Sequence, residues 1–172
     1  MGGRFFRVSL SLENKLLLTF KKIFMSNIKI ISQYIKDLSF ESPNSPQIFL
    51  NPQDKPNIGL SINIDANKIS DEVFEVSLKV TAEATMQDEK FFICEITYAG
   101  LFSFQKIEGE MLEQVLLIYC PNLLFPFLRR IITNVTTDGG LAPLMLDPID
   151  FADLYARRKA ATNAEPVSDT KN

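Results

Sequence analysis

Phe74-Glu75-Val76-Ser77-Leu78-Lys79-Val80-Thr81-Ala82-Glu83-Ala84-Thr85-Met86 is the stretch whose reading decides the fold, because seven apolar residues alternate strictly with six polar ones. That period of two is the signature of a strand with one buried face. Downstream, Gln87-Asp88-Glu89-Lys90 supplies a short polar turn, and Phe91 to Phe102 reads as a second strand. Its Phe92, Cys94, Ile96 and Tyr98 share one face, while Ile93, Glu95 and Thr97 share the other. Upstream, Ile58, Leu60, Ile62 and Ile64 alternate with Gly59, Ser61 and Asn63, a further half-buried strand. Ile28 to Phe40 is also strand-like, with apolar groups on both faces. Between these two, Ser42-Pro43-Asn44-Ser45-Pro46, then Pro52 and Pro56, spell a long loop, since each proline pushes its predecessor into extended geometry. A long loop in a compact domain usually covers or forms a site. Strands in succession with short polar turns predict an antiparallel, four-stranded sheet followed by helices, an α+β domain.

The helical part centres on Tyr119-Cys120-Pro121-Asn122-Leu123-Leu124-Phe125-Pro126-Phe127. Met111 to Tyr119 and Phe127 to Val135 repeat apolar residues at helical spacing, yet two prolines stand between them. Proline lacks a backbone donor and clashes with the preceding turn, so a long helix broken at a fixed bend is expected. Asp138-Gly139-Gly140 stops it, glycine suiting a left-handed cap. After a proline-containing connector, Asp150 is the expected N-cap of a last helix with Phe151, Leu154 and Tyr155 on its face and Arg157, Arg158 and Lys159 towards its end. Both helices are expected to pack on one side of the sheet.

The domain expected is residues 25–161. Residues 1–24 read as a poorly structured extension. They carry a basic start and the apolar patch Leu16-Leu17-Leu18-Thr19-Phe20, but Glu13-Asn14-Lys15 interrupts it and no small-residue cleavage site follows. Met25 fits a functional start, and an amphipathic membrane anchor is the alternative for this segment. Residues 162–172 are small and polar and are expected to be disordered.

Composition narrows the chemistry. The chain has 172 residues and no histidine, which removes a Ser-His-Asp triad, a Cys-His pair and a histidine-ligated zinc. No Gly-x-x-x-x-Gly-Lys pattern occurs, so a Walker-type phosphate loop is excluded. Cys94 and Cys120 lack metal-site spacing and fit a reduced cytosol. No cofactor or metal is expected, nor any stable membrane insertion, since no run approaches the ~18 to 20 apolar residues a spanning helix needs. Residues 1–24 hold five bases and one acid, leaving 13 bases against 20 acids, a net of −7, in the rest. An acidic body disfavours nucleic acid and suits a basic protein partner.

Taken in order, these landmarks resemble the bacterial protein-export chaperone family SecB, from about Ile30 to about Tyr155. The matching blocks are Lys36-Asp37-Leu38-Ser39-Phe40-Glu41 with Pro43-Asn44-Ser45-Pro46, and Asp71-Glu72-Val73-Phe74-Glu75-Val76. Cys94-Glu95 with Gly100-Leu101-Phe102, Tyr119 to Pro126, and Pro148-Ile149-Asp150-Phe151 match as well. Residues 1–24 have no counterpart, one residue is inserted before Pro56, and an aromatic usual in that loop is missing near Gln53. The resemblance implies a cytoplasmic homotetramer, a dimer of dimers, that needs no nucleotide. It would hold unfolded preproteins and deliver them to the SecA motor.

The resemblance also assigns surfaces. Motor binding in the family uses an acidic, flat sheet face, matched here by Asp37, Glu41, Ile93 and Glu95. Client capture calls for an adaptable apolar groove, because leaving water contributes about 25 cal/mol per Å² against the entropy of immobilising the client. Candidates are Phe49, Ile58, Leu60, Phe92, Phe127 and Tyr155, with a channel expected between the proline-rich loop and the bent helix. Surplus apolar surface points to self-association through Cys94, Ile96, Tyr98, Val115, Ile118 and Tyr119. The competing class is a small α+β enzyme using Asp37 or Glu95 as a carboxylate base in an apolar pocket. A holdase of the same fold serving another pathway is a third reading.

Overall fold

The computed structural model describes residues 28–50, 56–86 and 89–164, with side chains to Ala161. The expectations for residues 1–24, Met25, Pro52, Gln53 and 165–172 lie outside the described residues. Four strands, β1 (Ile28–Glu41), β2 (Asn57–Lys68), β3 (Val73–Met86) and β4 (Glu89–Phe104), form one antiparallel sheet in the order β1-β4-β3-β2. The turn after β3 is tighter than its sequence suggested, for Met86 already pairs with Glu89.

β3 and β4 are the centre of the sheet, so their inward residues meet helix above and strand on both sides. Val76, Leu78, Val80, Ala82, Cys94 and Ile96 are wholly buried there. Full burial of an aliphatic side chain of this size contributes about 1.5 to 3 kcal/mol. The outward residues Ile93, Glu95 and Thr97 are only half-buried.

The helical layer comprises α1 (Gly109–Gln114), a π-helical segment (Val115–Tyr119) and α2 (Cys120–Asp138), followed by α3 (Phe151–Ala164). The expected break takes the form of the π turn, which falls before the prolines and not between them. Cys120 N–H bonds the carbonyl of Val115, five residues back, and Pro121, which has no donor to offer, follows at the start of α2. Pro126 is accommodated inside α2. The run Gly109–Asp138 is, by length and composition, long and apolar enough to cross a membrane, in contrast to the sequence reading. Here its apolar stripe of Leu124, Leu128 and Ile132, at a spacing of four, is sealed against the sheet. A Cβ at Gly100 would meet the Phe102 ring at 2.7 Å and Leu124 at 3.0 Å, so glycine lets the helix lie this close.

α2 ends as a Schellman turn: Leu141 N–H bonds Thr136 O, Gly140 N–H bonds Thr137 O, and Gly140 has φ +76°. Asp150 caps α3, its Oδ1 accepting from the N–H groups of Ala152 and Asp153 at 3.0 Å each. α3 runs through Ala164, three residues past the expected limit of the domain.

Candidate functional site

β2 is an edge strand, and its free side opens onto a trough. Ile58, Leu60 and Ile62 form one wall of a cavity of about 300 Å³, with the connector Leu144–Ile149 opposite. Ile62 and Ile64 continue into a cavity of about 210 Å³ against Leu117, Leu154, Tyr155 and Arg158. Ile64 and Ala66 then border a third, of about 270 Å³, against Glu113, Leu116, Leu117 and Arg158. Shared residues join the three end to end. From Ile58 to Ala66 the trough follows eight strand steps, about 27 Å at strand rise. Ile58 and Leu60 remain 40% and 50% exposed, so the trough is open apolar surface.

Its far wall is fixed by α2. Leu144 donates its N–H to Thr136 Oγ1 at 3.0 Å, and its carbonyl accepts from Thr133 Oγ1 at 2.9 Å. One residue of the connector is thereby satisfied on both sides. On the near wall, Arg158 Nη1 donates to the carbonyl of Ile64 at 3.2 Å. That carbonyl points away from β3, and residues of the same parity in an antiparallel edge turn their amides the same way. The main chain of β2 at Ile58, Leu60 and Ile62 thus faces the open side with the side chains that line the trough.

Among the six client candidates, Ile58, Leu60 and Tyr155 line this trough. Phe49 and Phe127 are exposed but stand elsewhere. Phe49 lies over Gly140, where a Cβ would come within 3.3 Å of its ring, and Phe127 stacks on Tyr98 at 6.0 Å. Phe92 is 3% exposed, stacked on Phe40 at 5.9 Å, and is a core residue. Among the described residues an open channel lies between β2 and the connector. Residues 51–55 of the proline-rich loop, which the channel expected between that loop and the helix would include, lie outside the described residues. Thr133, Thr136, Leu144 and Arg158 went unnominated. Only the last could have been suspected, from its place beside Tyr155.

The residues nominated for self-association fare differently. Cys94, Ile96, Tyr98 and Val115 are buried within the protomer by α2 and the π segment, so they present no surface to a second copy. Only Ile118 and Tyr119 keep partial exposure. Burial also pushes both cysteine thiols up, away from the reactive thiolate. Four exposed apolar side chains, Ile30, Ile31, Ile35 and Leu38, lie together on β1, whose outer edge is unpaired among the described residues.

The outer sheet face does collect the four predicted residues. Glu41 pairs with Ile93 and Asp37 with Thr97, which places them on the face that carries Glu95. Glu95 accepts from Thr81 Oγ1 at 3.3 Å and stands 3.5 Å from Lys79 Nζ. Such half-exposed pairs are worth little in stability. Glu75, farther along the face, is 8% exposed and accepts from Lys36 Nζ at 2.6 Å and the Tyr34 hydroxyl at 2.5 Å. The Lys36 and Tyr34 hydrogen bonds hold its carboxyl below the usual range, and the same carboxylate pushes Tyr34 up to about 12. Asp37 and Glu95 lie on an open face, without the apolar enclosure that a carboxylate base requires. The enzyme alternative therefore finds no support.

An open apolar trough on one side of a sheet and a carboxylate-bearing face on the other define a polypeptide-handling chaperone class. The family model described as "Preprotein translocase subunit SecB" matches residues 22–162. The "Protein-export protein SecB" of Parvibaculum lavamentivorans is 44% identical over 144 residues, covering 81% of this chain and 86% of its own. That of Hyphomonas neptunium is 46% identical over 143 residues, covering 81% and 84%. A SecB-like chaperone of Mycobacterium tuberculosis, in complex with a ChAD peptide from an antitoxin, shares the fold at TM-score 0.61 and 15% identity, over 77% of this chain and 98% of its own. The chain belongs to the SecB family and is a protein-export chaperone.

Proposed function

We propose that this chaperone is an ATP-independent holdase that binds unfolded preproteins along the β2 trough and passes them to the SecA motor. The observation that carries the reading is the trough itself: half-exposed Ile58 and Leu60, outward-turned β2 amides, and a connector wall pinned by Thr133 and Thr136. An extended chain can add main-chain hydrogen bonds at such an edge while its side chains leave water, which gives affinity without sequence specificity. That a SecB-like chaperone of the same fold carries a bound peptide supports this use. The face holding Asp37, Glu41, Ile93 and Glu95 steers a basic surface of the motor, with a larger effect on encounter than on affinity. No catalytic step and no cofactor is involved.

Assembly is a homotetramer, a dimer of dimers, supported by the exposed apolar residues of β1 at an unpaired edge and by Phe127 on α2. Residues 25–161 are the chaperone domain, with 1–24 and 162–172 flanking it. The free, buried thiols of Cys94 and Cys120 and the family's role support a cytoplasmic location.

Purified full chain should slow the refolding of a denatured preprotein in proportion to its amount, with no nucleotide present. An unchanged refolding rate at several-fold molar excess overturns the reading. Glu95→Lys should weaken SecA binding several-fold in a titration and leave preprotein binding intact. Equal loss of both refutes the division of surfaces.

A further inference from the structure

We infer that residues 1–24 are an internal ligand of the β2 trough and compete there with external polypeptide. The inference rests on the reading of the trough as a polypeptide site. The segment has the composition the trough fits: Leu16-Leu17-Leu18-Thr19-Phe20 is set between Lys15 and Lys21-Lys22. The trough is apolar along Ile58–Ile64, and Asp65 and Glu113 border its Ala66 end. Arg158, the cation at that end, is engaged by the Ile64 carbonyl.

Topology brings the segment's attachment point to the same end. Ile28 pairs with Phe104, whereas Lys68 pairs with Phe74, itself opposite Phe102. The first residue of β1 therefore lies at the Lys68 end of the sheet, three strand spacings from β2, or about 14 Å. Ile28 packs against the core on the helix side, the side on which the trough lies. From Phe20 to Ile28 is eight residue steps, a reach of up to ~27 Å. The family model matches from residue 22, so Leu16–Phe20 lies outside the matched span.

Attachment makes weak binding sufficient. A short linker gives an effective concentration on the order of 1 mM. A segment with an intrinsic Kd of about 0.1 mM would then fill the trough roughly ten to one and weaken external binding about tenfold.

The test titrates a fluorescein-labelled, reduced and carboxymethylated preprotein against the full chain and against full-length Leu17→Asp/Phe20→Asp. The variant is expected to bind about tenfold more tightly, and adding Leu60→Asp should abolish that gain. Equal or weaker binding by the variant overturns the inference while the holdase reading stands. If neither protein binds the probe, the trough reading itself fails and takes the inference with it. Equal probe affinity, with only the full chain co-sedimenting on phosphatidylglycerol vesicles, assigns the segment to a membrane surface and overturns the inference.

Discussion

β2 and β3 carry the same written pattern and meet opposite fates. Both alternate apolar with polar residues, and they pair along their length, Ile58 with Ala84 through Lys68 with Phe74. Yet Val76, Leu78 and Val80 have no exposure, whereas Ile58 and Leu60 keep 40% and 50%. The difference lies in what covers them. α2 lies over β3 and β4, and the π segment reaches β2 at Ile62 and Ile64, whereas Ile58 and Leu60 face the connector across an open cavity. Alternation specifies which side chains share a face; it does not specify whether anything lies on that face. The centre of the sheet therefore supplies stability, and the edge supplies a surface for another chain.

The comparison breaks most visibly under truncation. Leu78→Ala should lose about 2 to 5 kcal/mol of unfolding free energy, the range for a buried leucine that leaves a cavity. Leu60→Ala should lose under about 1 kcal/mol, since its site is already half in water. Urea unfolding of the two variants, each made in full-length Leu17→Asp/Phe20→Asp so that residues 1–24 leave the trough free, measures both, and similar losses would mean that β2 is covered in solution.

A smaller effect sharpens the contrast on the outer face, where β3 also holds a buried carboxylate. Glu75 is kept ionised in the folded protein by Lys36 and Tyr34. Its folded pKa lies below the unfolded value of about 4.3, so the unfolded chain takes up the proton first as the pH falls. The stability Glu75 contributes is complete above that value and is lost as pH falls through the folded pKa. Glu75→Gln should flatten the acid limb of the stability curve, read from urea midpoints across the acid range. An unaltered acid limb would show that Glu75 is not held ionised.

The sheet was legible because its period is local: each of β2, β3 and β4 announces its two faces in its own residues. The N-cap at Asp150 and the glycine stop after Asp138 were legible for the same reason. What sequence could not reveal was cover. Phe92 and Tyr155 look alike as aromatic candidates, yet Phe92 is buried in the core against Phe40 and Tyr155 lies at the rim of the trough. Cys94, Ile96 and Tyr98 looked like surplus apolar area because the reach of α2 over β4 depends on close approach at Gly100, a tertiary fact. The connector carries almost no periodic signal. Its place opposite β2 is set by two threonines on another element.

Amide hydrogen exchange of full-length Leu17→Asp/Phe20→Asp, whose trough is left free, with and without a bound unfolded preprotein, tests the central claim most directly. Added protection is expected at Ile58–Ile64 and in the connector Leu144–Ile149, with the outer-face residues Glu41 and Glu95 unchanged. Protection confined to the outer face, with β2 exchanging as before, would contradict the account.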